Sequence, residues 1–268
     1  MVRRCAFCDS PVPADATVCP VCKEEIAEER LERLLPLLRR PESPEIRMMS
    51  PVERLWGVIR RPAPTYRDIA QRPDTAGPML IIIFNALIVA AYYLAISSKF
   101  TVPVMVNNTL VETSVLSTNI GNVFYGTALS VIVSNLLLGI VYLFLGSAFA
   151  HLAFKITGGT GNRQKTMAIV GYSMMPVVIF RLFGLLLVLL NPATVSMADP
   201  ATWEALVMDI YNSTLWTTLD YMTTASFVWV GFLLIFGIRE AHDTSTEWAF
   251  LVSLACMLVL GWTFWQAH

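Results

Sequence analysis

The sequence predicts an all-α membrane protein, a five-helix transmembrane bundle with a small zinc ribbon at its N-terminus. Apolar residues make up 55% of the 268 residues and charged residues only 15%, and the mean hydropathy is +0.58. These values are typical of membrane proteins rather than soluble domains. Of the 19 basic residues, 13 precede Pro78, and four of the five cysteines lie in the first 22 positions. The chain therefore divides into a charged N-terminal segment and an apolar remainder.

Residues 1–26 are predicted to form the zinc ribbon. Cys5 and Cys8 are separated by two residues, as are Cys19 and Cys22, and ten residues lie between the pairs. This spacing lets two tight turns present four thiolates to one tetrahedral Zn²⁺ ion. Two disulfides are the alternative, but residues 1–10 have no apolar region typical of a secretory signal, so the cysteines are expected on the reducing, cytosolic side.

The stretch RCAFCDSPVPADATVCPVCKEEI resembles the short zinc ribbons at the N-termini of many prokaryotic membrane proteins. Four cysteines close the coordination sphere and leave no position for a reactive water. The predicted Zn²⁺ is therefore structural, and the ribbon is expected to dock a cytosolic partner or simply to cap the chain.

Two helical segments are expected between the ribbon and the first span. Residues 27–50 hold an amphipathic helix and a linker, which either contacts a partner or lipid or serves as a spacer. Residues 51–78 place Trp56 and other apolar residues among arginines, and three prolines break the helix. This composition predicts an interfacial helical segment.

Residues 79–268 are predicted to form the membrane domain. Five apolar blocks are long enough to cross about 30 Å of hydrocarbon as helices. They are residues 79–97, 124–150, 167–190, 216–238 and 248–265.

The basic residues of the loops predict the orientation. Lys155, Arg163, Lys165 and Arg239 follow the second and fourth spans, whereas the opposite side has only Lys99. Basic residues favour the cytoplasmic side. The N-terminus is therefore expected in the cytoplasm and the C-terminus outside, in a multi-pass protein of the cell membrane.

Each outer loop contains a sequon, at Asn107 and at Asn212. Glycosylation could occur there. Chance is the better interpretation, because sequons arise often in loops rich in asparagine and threonine and because Asn212 lies very close to the membrane.

Three stretches resemble the Yip (Ypt-interacting protein) membrane-domain family: RRPAPTYRDIAQRP, AFKITGGTGNRQKTMAIVGYSMMP and FVWVGFLLIFGIREAHDTSTEWA. The resemblance covers about residues 51–265. It implies five spans and a cytosolic N-terminus. Eukaryotic members are linked to Rab-type GTPases and vesicle trafficking, whereas prokaryotic relatives have no known role, and the zinc ribbon departs from the eukaryotic pattern.

Two charged residues lie inside predicted spans. A charge in hydrocarbon requires compensation. Arg181 and Asp220 lie at converging depths in the third and fourth spans, which predicts an ion pair with a structural role or, alternatively, a gating or proton-linked role. Asn85 and Asn135 are expected to form hydrogen bonds between helices.

These features predict a non-enzymatic scaffold or adaptor, active in membrane organisation or trafficking, whose partners are the lipid bilayer and a cytosolic protein. The alternative is a small transporter or channel with Arg181 and Asp220 in a polar core. No inverted repeat is evident, which weakens that alternative. Homo-oligomerisation stays open, and no nucleic-acid partner is expected.

Overall fold

The structure is a computed structural model that describes residues 5, 7–12, 16, 18–24, 30–35, 38, 48–156, 161–198, 205, 208–210 and 212–266. Its helices are, in chain order, α1 (Arg30–Leu34), α2 (Pro51–Arg60), α3 (Pro62–Gln71), α4 (Ala76–Ser97), α5 (Gly121–Ile156), α6 (Arg163–Ser173), α7 (Met175–Leu190), α8 (Thr214–His242) and α9 (Thr246–Gln266).

The five predicted spans are confirmed as helices long and apolar enough to cross a membrane: α4, α5, α6 with α7, α8 and α9. Each extends beyond its predicted block. The helix α5 has 36 residues, or about 54 Å at the rise of an α-helix, so it exceeds a hydrocarbon core of about 30 Å. Hydropathy marks only the part in lipid, and therefore underestimates helix length.

The third span is broken between α6 and α7. The amide of Met174 donates to the carbonyl of Gly171 at 3.1 Å, which ends α6 with a tightened turn. Pro176 follows in the first turn of α7. In a continuous helix its ring would clash with the carbonyl of Tyr172. The proline therefore accounts for the break.

A small sheet is formed by residues that were predicted to lie in the two outer loops. The strands β1 (Phe100–Val106) and β2 (Thr109–Ser114) pair antiparallel, and β3 (Val195–Ser196) pairs parallel with β1. Asn107 and Asn108 join β1 to β2 with φ values of 49° and 58°. A two-residue hairpin turn of this type requires a positive φ at both of its residues, and asparagine adopts that conformation more readily than most residues.

The chain forms two compact units. The first comprises Met1–Ile81, Ile140–Pro176 and Phe227–His268, and the second Ile82–Gly139 and Val177–Ser226. In the first unit α2 and α3 pack against α6. Its core contains fully buried side chains from these helices and from α8: Val58, Tyr66, Ile69, Ile169, Tyr172, Leu233 and Phe236. The second unit contains the sheet.

Large apolar side chains are exposed along the spans. Leu129, Val133, Phe149, Leu190 and Trp262 each have more than half of their surface exposed. Exposed apolar surface on this scale indicates contact with a partner or a membrane. Since these residues lie on helices of spanning length, they fit contact with the hydrocarbon of a bilayer.

Candidate metal centre and buried polar contacts

The four N-terminal cysteines lie on two similar turns. In the first turn the amide of Cys5 donates to Ser10 and the amide of Asp9 donates to Cys5, both at 3.0 Å. The second turn repeats both bonds, from Cys19 to Glu24 and from Lys23 to Cys19, at 2.9 Å. Asp9 and Lys23 have φ values of 53° and 58°. Each Cys-x-x-Cys segment is therefore a tight turn held by its own backbone.

These turns bring the four sulfur atoms together. All four lie within 4.8 Å of one another, with 3.5 Å between Cys5 and Cys22 and 3.6 Å between Cys8 and Cys19. None of these distances is that of a disulfide, and all four cysteines are free. Thiolates bound to one tetrahedral zinc ion at 2.3 Å would lie about 3.8 Å apart. The donor set therefore fits Zn²⁺.

Hydrogen bonds favour the thiolate at the first turn. A backbone bond from Phe7 holds the pKa of Cys5 below its ordinary value, and bonds from the hydroxyl and amide of Ser10 lower the pKa of Cys8 to about 6. At the second turn a backbone bond also favours the thiolate of Cys22, but burial and the neighbouring thiols raise its pKa to about 12. A bound cation removes the repulsion between thiolates, so all four can ionise together.

A buried arginine attaches the chain after the cysteine module to the ends of α8 and α9. Arg239 is 1% exposed, and its Nη1 lies 3.4 Å from the carboxylate of Glu32. The same nitrogen donates to the carbonyl of Leu38. The hydroxyl of Thr246 donates to Glu32 at 2.7 Å. These contacts join α1 to the membrane helices through buried charge.

A second buried cluster, the anchor cluster, comprises Arg54, Asp68, Asp74 and Tyr172. Arg54 donates to Asp68 at 2.8 Å and also bonds Asp74. Burial opposes the charges, but the hydrogen bonds and attraction within the cluster outweigh it, so the pKa of Arg54 is raised and that of Asp68 lowered. Arg54 on α2 and Asp68 on α3 are therefore held ionised and paired.

The anchor cluster also holds the start of α4. The carboxylate of Asp74 accepts hydrogen bonds from the amide of Gly77, at 2.9 Å, and from the hydroxyl of Tyr172, at 3.0 Å. Gly77 lies in the first turn of α4 and Tyr172 in α6. A carboxylate at this position also interacts favourably with the positive end of the α4 dipole. One side chain thus connects α2, α4 and α6.

Two histidines share a threonine hydroxyl near the ends of α5 and α8. The hydroxyl of Thr166 lies 3.2 Å from Nδ1 of His151 and 3.0 Å from Nε2 of His242. Gly161 approaches closely, since a Cβ there would lie 2.6 Å from Nδ1 of His242. A residue with a side chain at position 161 would therefore push this histidine out of place.

In the second unit, Arg181 lies beside a small cavity. Its Nη1 donates to the side-chain oxygen of Asn85 at 2.5 Å. This bond joins α7 to α4, so the prediction of an interhelical role for Asn85 is confirmed. The prediction for Asn135 is wrong, because its amide donates to Val131 of its own helix. Pairing of Arg181 with Asp220, in the second turn of α8, stays a prediction.

The cavity beside Arg181 has a volume of about 20 Å³, room for a single water molecule. Its lining mixes aromatic, apolar and hydroxyl side chains: Tyr92, Val177, Phe180, Leu219, Met222, Thr223 and Ser226.

The two sequons lie in different settings. Asn107 is exposed in the hairpin turn between β1 and β2. Asn212 is also exposed, two residues before α8 begins. Glycosylation of either asparagine stays a prediction.

Residues 56–266 match the Yip1 domain family, which is well over half of the chain. The chain belongs to this family. No curated protein and no solved structure gives a significant match. The Yip1 domain match includes Asp68, Asp74 and Tyr172 but begins after Arg54 and after the four cysteines. The cysteine module is therefore a feature of this chain outside the matched Yip1 domain.

The resemblance inferred from the sequence is thus confirmed, but the main polar contacts of the Yip1 domain were not predicted. Arg239 was used only as a basic residue for orientation, and Asp68 was not singled out. One signal was present, since several acidic and basic residues lie close to the start of the first span. Which of these acidic and basic residues pair depends on how α2, α3 and the start of α4 pack together. The spacing of the residues in the sequence does not specify that packing.

Proposed function

We propose that this Yip1 domain protein is a non-enzymatic membrane scaffold whose N-terminal module binds a structural Zn²⁺ and docks a cytosolic partner. The four clustered thiols carry this proposal. When bound by four thiolates, zinc has no position left for a reactive water and serves to stabilise the fold. The orientation with the N-terminus in the cytoplasm and the C-terminus outside belongs to the same proposal.

The surface of the module supports docking. Phe7 and Val21 occupy the same position in the two turns, directly before the second cysteine of each pair, and they are 73% and 65% exposed. The buried core of the module is formed by Cys5, Val12 and Cys19. Two apolar side chains kept on the surface of so small a module favour contact with an apolar patch on a partner.

The buried contact between Arg239 and Glu32 supports a scaffold because it attaches α1, which follows the module in the chain, to the membrane helices. It joins α1 to α8 and α9, so a partner bound to the module would be held near the membrane. The alternative, a transporter with a polar core at Arg181, has less support. The adjacent cavity accommodates only a single water molecule.

Crosslinking in native membranes tests the proposal. The double variant Phe7→Ser with Val21→Ser keeps the four cysteines and should lose neighbours that the wild-type chain captures. Leu110→Ser is the matched control, since Leu110 is 71% exposed on β2, outside the module. Capture of the same neighbours by all three chains would contradict docking through the module. Ion flux through liposomes containing the pure protein would contradict the scaffold.

A further inference from the structure

We propose that the exposed face of α2, formed by Val52, Trp56 and Arg60, binds anionic lipid headgroups at the membrane surface, together with the exposed Met48 just before the helix. This inference does not depend on zinc or on a cytosolic partner. It rests on the spacing of these residues, on the burial of the opposite face and on the place where α2 is held.

Val52, Trp56 and Arg60 repeat every fourth position of α2 and so lie on one side of the helix, and Met48 lies just before its N-cap, Ser50. Met48 is 77% exposed, Val52 66% and Trp56 52%. The guanidinium of Arg60 lies 4.7 Å from the centre of the Trp56 ring, a cation–π contact. The apolar side chains of Val52 and Trp56 suit the acyl chains of a bilayer, and the guanidinium of Arg60 suits the phosphates beside them.

The helix α2 is held by contacts within the chain. The hydroxyl of Ser50 accepts from the amide of Glu53 at 3.3 Å, and the carboxylate of Glu53 accepts from the amide of Ser50 at 2.7 Å. This capping box fixes the first turn. Leu55 and Val58, on the opposite side, are 6% and 0% exposed. The exposed face is therefore presented on a rigid, packed helix.

The anchor cluster places α2 at the level of the membrane surface. Arg54 of α2 bonds Asp74, and Asp74 accepts from the amide of Gly77 in the first turn of the spanning helix α4. The end of a span lies near the headgroups. Since α2 is joined directly to that end, its exposed face lies within reach of the same headgroups.

The positive charge at the C-terminal end of α2 favours an anionic ligand. Arg60 and its neighbour Arg61 are both exposed at the C-terminal end of α2. The single acid on the exposed face, Glu53, is engaged in the capping box. Two arginines beside a tryptophan at the membrane surface complement a phosphodiester that carries net negative charge. The occupant is therefore the headgroup of an anionic lipid in the surrounding bilayer.

A photocrosslinking residue, p-benzoyl-phenylalanine, in place of Val52 tests this inference in the full-length protein. The protein is reconstituted in vesicles of phosphatidylcholine and phosphatidylglycerol in equal parts, and the adducts are identified by mass spectrometry. We expect lipid adducts enriched in phosphatidylglycerol. In Arg60→Gln with Arg61→Gln the enrichment should fall about fivefold for each lost charge.

The matched control is Lys155→Gln with Arg163→Gln, which removes two exposed charges elsewhere in the first unit. It should keep the enrichment. Adducts to protein instead of lipid would overturn the inference, as would an equal loss in the control pair. If the arginine variant does not fold, the same test is made on the wild-type chain at increasing salt concentration. The enrichment of phosphatidylglycerol among the adducts should decline as ionic strength rises, and the absence of a decline would overturn the inference.

Discussion

Nε of Arg54 lies 2.8 Å from Oδ2 of Asp68, and the two side chains are 4% and 1% exposed. A buried ion pair adds little stability over an apolar pair, but removal of one partner takes compensation away from the buried charge of the other. Arg54 also pairs with Asp74, and Asp68 also pairs with Arg72, so each would keep one charged partner. This contact should therefore be sensitive to mutation and to pH, because Asp68 must stay ionised to hold Arg54.

Asp68→Asn should lower the free energy of unfolding by about 1–3 kcal/mol at neutral pH, because the buried Arg54 loses one of its two carboxylate partners and keeps the other, Asp74. The pKa of Asp68 is lowered in the folded state, so its stabilisation is present above the unfolded pKa of about 3.9 and is lost as pH falls through the folded pKa. Unfolding is followed in detergent as a function of pH. The difference in unfolding free energy between wild type and variant should become smaller below about pH 4.

Asp243→Asn provides the control for this series. Asp243 is exposed and has a φ of 48°, a conformation that asparagine also tolerates. The unfolding free energy of the Asp243→Asn variant should match that of wild type across the pH range. If the difference in unfolding free energy between wild type and Asp68→Asn stayed constant down to low pH, the charge of the Asp68 carboxylate would not contribute to stability.

The cysteine module should carry about one zinc ion per chain, as four clustered thiols predict. Elemental analysis of the purified full-length protein measures it. Cys19→Ser should lose most of the metal, because Cys19 is one of the four clustered thiols and is fully buried. Cys256→Ser changes the fifth cysteine, which lies in α9, and should keep the metal. Equal metal in both variants, or far less than one ion in wild type, would exclude the site.

The spans and the cysteine module could be predicted because each depends on neighbouring residues. Hydropathy over about 20 positions defines a span, and Cys-x-x-Cys spacing defines a metal-binding turn. The contact between Glu32 and Arg239 joins residues 207 positions apart. No local pattern indicates that pairing, because it forms only when α1 packs against the ends of α8 and α9.

The hairpin of β1 and β2 was missed for another reason. Hydropathy identifies apolar helices long enough to span a membrane, and the residues between them were assigned to loops. Two β-rich runs flank Asn107-Asn108, which is a recognisable hairpin pattern. The pattern was local and readable, unlike the long-range contacts of Arg239.

Loss of the contact between Glu32 and Arg239 should release the N-terminal segment. In Glu32→Gln the buried guanidinium loses a charged partner, so limited proteolysis should cleave before α2 faster than in wild type. Combining it with Arg239→Gln should recover part of the unfolding free energy that Arg239→Gln alone removes, because neither charge is then left alone. Glu247→Gln changes an exposed acid in the first turn of α9 and should leave cleavage unchanged. Identical cleavage in all chains would refute the attachment.

Arg181 provides a test inside the membrane domain. The structure joins Arg181 to Asn85, and the sequence predicts a pair with Asp220. Double-mutant cycles of Arg181→Gln with Asn85→Leu and with Asp220→Asn, measured by reversible unfolding in mixed micelles, should both show coupling of about 0.5–3 kcal/mol. Asn135→Leu is the control, since Asn135 bonds within its own helix, and its effect should add to that of Arg181→Gln. Strict additivity with Asp220→Asn would argue against the predicted pair.

Gly77 lies where α4 meets α6, and its lack of a side chain makes that contact possible. A Cβ at position 77 would lie 2.0 Å from Cζ of Tyr172, a ring held in place by its hydrogen bonds to Asp74. Gly77→Ala should therefore cost about 1–3 kcal/mol of unfolding free energy. Gly126→Ala in α5 meets nothing within 4 Å and should be neutral or stabilising by about 0.5–1 kcal/mol. If the two substitutions have the same effect in thermal unfolding, the close approach of Gly77 to Tyr172 is not what holds α4 against α6.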